Sequence, residues 1–186
     1  MILSSDAADL ARAVTLLRAG EVIAFPTDTV YGLAALAGEK AAIQRIYQIK
    51  GRALNKQLIA MAATIEQLEP LVEVSPRARA LMERWWPGPL TLVLPARKGD
   101  LPTLGVRIPN HPVALDLLRQ VGAPLLTTSA NLSGEPEAMS AAAAAELIGV
   151  AGIVDGGRAP GGQPSTVLSM VDGQLEVLRE GPIKVK

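Results

Sequence analysis

The 186-residue sequence has no cysteine, which excludes disulfides and thiolate metal sites. It has one histidine, His111, in the turn-like context NHP, too little for a histidine-rich metal centre. Aromatic residues are scarce, at 3%, and charge of either sign is not in excess, with 18 basic and 18 acidic side chains. Neither stacking nor bulk charge therefore supports a single-strand nucleic-acid binder, although a local basic groove stays open. No apolar run approaches the length of a membrane span, so no membrane contact is expected. The opening MILSSDAADLARA carries acids early and lacks a basic segment before an apolar one, so no signal peptide is expected and the protein is read as soluble and cytoplasmic. There is no GxxxxGK[ST] phosphate loop, so any nucleotide must be held by another cradle.

What is present is a chain that is 49% hydrophobic and long enough for one well-buried core. A single domain over residues 1–186 is expected, with no repeat or linker. Helical and extended patterns alternate. Ser5 or Asp6 can cap a helix through Arg18, which Gly20 ends. EVIAF is the first expected strand, and Lys40 to Ile49 reads as a helix with Ile43, Ile46 and Tyr47 on its buried stripe. QLIAMAA, LTLVLP, GVRIP, PLLTT, GIVD and STVLSMV read as strands. Helices are expected near Thr64 to Leu68, from Ser75-Pro76 to Trp85, from Val113 to Val121 and from Ser140 to Ile148. VDGQ, residues 171 to 174, reads as a hairpin turn before LEVLRE, so the α/β sheet must be mixed.

The most informative run is FPTDTVYGL, residues 25 to 33. Pro26 stops a strand, and Thr27, Asp28 and Thr29 follow at its end, where open α/β sheets tend to place ligands. Four further polar clusters lie at element boundaries. In IKGR, Lys50 and Arg52 would point the same way if the chain is extended, a clamp for a triphosphate that Lys56 can extend. In TTSANLSG, Ser129 and Asn131 stand two apart and can present a hydroxyl and an amide, or else satisfy their own turn. Arg107 interrupts an apolar strand and, if buried, needs an internal acid or a substrate carboxylate as partner. The closing hairpin should bring Ser165 and Thr166 beside Arg179. Trp85, Trp86 and His111 read as structural, whereas Tyr31 is expected to line the site.

FPTDTVYGL, KGR, WWPGPLTLVL, GVRIP, TTSANLSG, PSTVL and LREG, in that order from about Ala7 to Gly181, resemble the YrdC/TsaC family of L-threonylcarbamoyladenylate synthases. The resemblance implies a twisted mixed sheet flanked by helices around a deep, positively lined concavity. It implies an enzyme, a nucleotidyltransferase, that makes threonylcarbamoyl-AMP and pyrophosphate from L-threonine, bicarbonate and ATP with Mg2+. The product would serve the t6A modification at position 37 of tRNA through a separate threonylcarbamoyl-transferase complex, and a direct tRNA contact is left open. Residue by residue, Lys50 and Arg52 match a K-x-R pair and Ser129 and Asn131 an S-x-N pair, implied to be catalytic and to bind nucleotide and phosphate. Lys56, Thr103 and Arg179 fall at further ATP-binding positions. Thr29, Tyr31, Arg107, Thr127 and Ser165 are assigned to threonine, with Arg107 facing its carboxylate. No residue is assigned to a resident metal.

The chain departs from the family pattern at Ala53, Gln57, Glu137, Ala138 and Met139, and Met61 stands where some longer members place a histidine. It is expected to match the short bacterial form, without a C-terminal accessory domain. Two other readings are an RNA-binding module without chemistry and a paralogue acting on another carbamoyl-adenylate acceptor.

Overall fold

The computed structural model describes residues 1–97, 99, 101–171 and 173–184. Sixteen elements form in chain order: β1 (Ile2–Leu3), α1 (Ala7–Arg18), β2 (Ile23–Phe25), β3 (Gly32–Leu36), α2 (Lys40–Lys50), β4 (Ile59–Met61), α3 (Ile65–Leu68), α4 (Pro76–Trp85), β5 (Leu90–Pro95), β6 (Thr103–Arg107), α5 (Pro112–Val121), β7 (Leu125–Ser129), α6 (Ala141–Ala144), β8 (Gly152–Val154), β9 (Thr166–Ser169) and β10 (Glu176–Arg179). All ten strands join one sheet in the order β1-β8-β2-β3-β7-β4-β6-β5-β9-β10. β8 runs parallel to β1 and β2, β4 to β6, and β5 to β9. The remaining neighbours are antiparallel, so the sheet is mixed as expected.

Local chemistry explains most boundaries. Asp6 caps α1 by accepting the Asp9 N–H, and Ser75 caps α4 by accepting from Ala78 with Pro76 next in the first turn. Gly51 ends α2 in the left-handed region at φ 56°, where a side chain is strained. Strand side chains alternate between two faces. Ile23 and Phe25 of β2 pack with α1 and α5, while Ala24 and Val22 pack with α2 and α6. A third cluster sets Leu90, Leu92 and Leu94 of β5, with Val106 and Leu168, against Ala78 and Met82 of α4.

The opposite faces of those central strands build the floor of a cavity. Ile59 and Met61, Thr91 and Val93, Gly105 and Arg107, Thr127 and Ser129, and Val167 all line it, each the alternate of a core residue. Gly105 is required there, because a Cβ would stand 2.7 Å from the Ile59 side chain.

Four details differ from the sequence reading. β1 joins the sheet edge beside β8 although two residues carry no readable period. β3 is a strand of Gly, Leu and Ala whose first four residues are buried, so neither alternation nor β-propensity marks it. The helix expected over 140–148 is α-helical only to Ala144. Glu146 and Leu147 then bond three residues back, and Gly149 turns the chain at φ 97° towards β8. IKGR is not extended, since Lys50 closes α2 and Gly51 reverses the backbone before Arg52. The strands of the closing hairpin pair as expected, whereas Asp172 of its VDGQ turn lies outside the described residues.

Candidate active site

The strand exit at Pro26 delivers three polar residues to the cavity's edge. The Thr27 hydroxyl donates to the Val30 carbonyl at 2.6 Å and accepts the backbone N–H groups of Thr29 and Val30. It is also 3.0 Å from the Thr29 hydroxyl, which is left as the donor of that pair. Thr29 Oγ1 in turn accepts from Arg107 Nη1 at 3.0 Å. Arg107 is 2% exposed overall, and its Nε donates to the Gly88 carbonyl at 3.0 Å. Its Nη2 meets Asp28 Oδ1 at 2.6 Å. The buried arginine therefore has an internal acid as its partner, one of the two alternatives left open by the sequence. Burial pulls its pKa down, and Asp28 opposes that.

A second buried cation closes another corner. Lys50 Nζ donates to the carbonyls of Ser129 and Asn131 at 2.6 and 2.7 Å and to Asn131 Oδ1 at 2.8 Å. These acceptors match the three protons of an ammonium. Burial, with the charge of Arg52 second, lowers the pKa of Lys50 from 10.5 to about 8. Asn131 Oδ1 also accepts from Ser129 Oγ at 2.6 Å, and Asn131 Nδ2 donates to the Glu135 carbonyl. The K-x-R and S-x-N pairs are thus interlocked through Lys50 and Asn131, and neither of those two lines the cavity. Ser129 and Arg52 do line it. Arg52 is held by the carbonyls of Lys56 and Gln57, at 3.1 and 3.0 Å.

The closing hairpin completes the wall. Ser165 is buried, its hydroxyl 2.8 Å from that of Thr91, and it accepts from Arg179 Nη2 at 3.1 Å. Arg179 Nε holds the Ser165 carbonyl at 3.0 Å. The hydroxyl–cation pair expected at the two hairpin ends forms with Ser165, whereas Thr166 turns to the core and bonds Ile183. Thr127 reaches across to the Ile59 carbonyl at 3.3 Å.

The cavity measures about 290 Å³. It gathers Thr27, Thr29, Tyr31, Arg52, Arg107, Thr127, Ser129, Ser165 and Arg179 of the residues singled out in the sequence. Lys56 is exposed and its side chain stands outside it. Thr103 lies on the cavity face of β6 in register with Gly105 and Arg107, but beyond the lining. Tyr31 is fully buried, and its hydroxyl is spent on the backbone: it donates to the Gly157 carbonyl at 2.7 Å and accepts from Gly156. Trp86 is also buried and donates to the Leu90 carbonyl, while His111 stands at the start of α5.

Several contributors had no assigned role in the sequence. Asp28 lies inside the recognised TDT run, but only the fold shows which cation it meets. Thr91 is concealed in an apolar strand. Gly161 sits directly on the strand exit, where a Cβ would stand 2.5 Å from the Asp28 carbonyl oxygen and 2.8 Å from Thr29 Cα. Gln57 and Met61, two of the departures from the family pattern, both line the cavity.

Comparison with known proteins agrees with this architecture. The family model described as telomere recombination, covering Sua5, YciO and YrdC, matches residues 15–181. The threonylcarbamoyl-AMP synthase of Bacillus subtilis strain 168 is 46% identical over 97% of this chain and 56% of its own length. That of Xanthomonas axonopodis pv. citri is 39% identical over 92% of this chain and 98% of its own. The structure of Pyrococcus abyssi Sua5 complexed with L-threonine superposes with a TM-score of 0.93, at 38% identity, over 97% of this chain and 57% of that one. The chain thus spans little more than half the length of some relatives and nearly all of others. With the mixed sheet, the concave site and this breadth of similarity together, the chain belongs to the Sua5/YciO/YrdC family.

Proposed function

We propose that this protein is a threonylcarbamoyl-AMP synthase, converting L-threonine, bicarbonate and ATP into threonylcarbamoyl-AMP and pyrophosphate. The observation that carries the reading is the cavity itself, which the buried Arg107 lines together with the hydroxyl-bearing Thr29, Thr127 and Ser165. Its relatives bear that activity in their names, and one of them was solved with L-threonine.

An amino acid fits a cavity of about 290 Å³, and the triphosphate of ATP is assigned to the arginine-bearing part of its wall. Arg107 has five N–H donors, of which three are engaged among the described residues, leaving two for a carboxylate. The rim carries Arg52 and Arg179, with Lys56 and Thr103 further out, as the cations and hydroxyl for phosphates. Lys50 and Asn131 contribute by holding Ser129 in place.

Threonine's amine attacks bicarbonate or CO2, giving an N-carboxylate, with water leaving in the bicarbonate case. A carboxylate oxygen then forms a bond to the α-phosphorus as the bond to pyrophosphate breaks. Positioning and charge neutralisation supply most of the acceleration in such transfers. Magnesium is part of the substrate, carried on the triphosphate. The product's use in tRNA t6A37 modification, its handover to a separate transferase complex and a cytoplasmic setting complete the proposal. No helix among the described residues is long and apolar enough to cross a membrane.

The test is pyrophosphate release from MgATP by the purified protein, with L-threonine and bicarbonate each present or withheld. Release that needs both, with serine much poorer, is the expected result. ATP binding without threonine-dependent release would overturn the synthase reading and favour another acceptor.

A further inference from the structure

We propose that Asp28 is a positioning residue for the amino-acid substrate, acting through Arg107 without touching the ligand. The inference rests on the reading of Arg107 as the carboxylate anchor and names what aims it.

The geometry is specific. The Arg107–Asp28 pair is buried on both sides, with side-chain exposures of 3% and 9%. Arg107 lines the cavity and Asp28 does not. Only Oδ1 of Asp28 is engaged by the guanidinium, and Oδ2 is buried with no hydrogen-bond partner among the described residues. A buried carboxylate left half-satisfied is costly, so simple stabilisation is a poor account of it. A bidentate pair would consume both outer nitrogens on one carboxylate. The single contact instead takes one N–H of Nη2, Thr29 takes one of Nη1, and Gly88 takes Nε. Three contacts on three different nitrogens fix the guanidinium in its plane, and leave one N–H on each terminal nitrogen without a partner among the described residues.

Asp28 is itself held. Gly161 presses on its carbonyl and on Thr29 Cα, and there is no room for a side chain at that approach. Burial pushes the pKa of His111 down, and the nearby Asp28 opposes that. The ion pair that Asp28 makes among the described residues is with Arg107. The consequence is an anchor that is electrically neutral as a pair and recognises a carboxylate by directed N–H donors. A rotated guanidinium would keep its charge and lose that aim.

The experiment compares Asp28→Ala, Asp28→Asn, Arg107→Ala and the double variant. Threonine KM and ATP KM are measured separately, and each protein's folding is checked by thermal unfolding. Asp28→Ala should raise threonine KM about tenfold or more, a loss of ~1.4 kcal/mol per tenfold, with ATP KM little changed. Asp28→Asn keeps an oxygen for Nη2 and should recover part of the loss. In the double variant Asp28→Ala should add nothing to Arg107→Ala, because its effect passes through that side chain. Equal damage to both KM values, or additive losses, would overturn the positioning role. If Arg107→Ala leaves threonine KM intact, the anchor reading itself fails, which is a distinguishable result. Should Asp28→Ala fail to fold, Asp28→Asn carries the same comparison, and an unchanged threonine KM there with Arg107→Ala impaired would also overturn it.

Discussion

Lys50 and Arg107 are equally buried, each 2% exposed, yet the fold answers their charges differently. Lys50 is surrounded by neutral acceptors, two backbone carbonyls and an amide oxygen. Arg107 has a carboxylate, a hydroxyl and a carbonyl. The lysine spends all three protons inside the protein and braces the end of β7 at Ser129 and the loop residue Asn131 that follows it. The arginine keeps donors for the cavity. A cation at a site boundary thus serves as a brace or as a contact according to how many of its donors the fold leaves over. Types alone do not distinguish the two roles.

Removing each cation breaks that comparison most directly. Arg107→Ala strands the Asp28 carboxylate in the interior and should cost about 3–5 kcal/mol of stability. Lys50→Met strands only neutral acceptors and should cost about 1–3 kcal/mol. Denaturant unfolding of the two variants measures both, and equal losses would erase the distinction drawn here between a carboxylate and carbonyls as partners. Crowding the arginine corner from behind comes next. Gly161→Ala pushes on Asp28 and Thr29 and should destabilise by about 1–3 kcal/mol, as overpacking does, while raising threonine KM more than ATP KM. A thermal shift without a change in threonine KM would separate that loop from the site.

Proton titration sharpens the contrast without mutation, since Lys50 can lose its proton in an accessible range and Arg107 cannot. The folded pKa of Lys50, about 8, lies below its ordinary 10.5. Between those values the unfolded chain binds the extra proton, so this group's contribution to stability rises with pH across the window. Turnover should move the other way, falling above about pH 8 as the ammonium that ties Ser129 to Asn131 is lost. Lys50→Arg, which keeps its charge, should lack that limb in its residual activity; an identical alkaline limb in both proteins would assign it elsewhere. The smallest difference lies at the rim. Arg52→Ala should cost more turnover than Lys56→Ala, because Arg52 lines the cavity whereas the exposed Lys56 should change stability by no more than about 0.5 kcal/mol. Full activity in the Arg52 variant would end its role as a phosphate contact.

Much of this was legible beforehand. α1, α4 and β5 announce themselves through a cap at Asp6, a Ser75-Pro76 start and a run of alternating leucines, all short-range signals. β3 was not legible, because Gly-Leu-Ala-Ala-Leu is a strand only by virtue of β2 and β7 on either side. The same division runs through the site. The ordered motifs marked Lys50, Arg52, Arg107, Ser129 and Arg179 as chemistry-bearing, but two residues apart in sequence was not two residues apart on one face at Lys50 and Arg52. Gly51 at φ 56° turned one inward and left the other at the rim.

The sequence by itself determined an apolar content sufficient for a buried core, most helix ends and the roster of cations and hydroxyls, because caps, periodicity and side-chain chemistry act over a few residues. Only the tertiary structure decided which cation is fully spent and which keeps unengaged donors, since Asp28 reaches Arg107 across 79 positions of chain and Lys50 likewise reaches Ser129 across 79. Those meetings depend on strand order and register, and a contact between distant residues exists only once the sheet has brought them together.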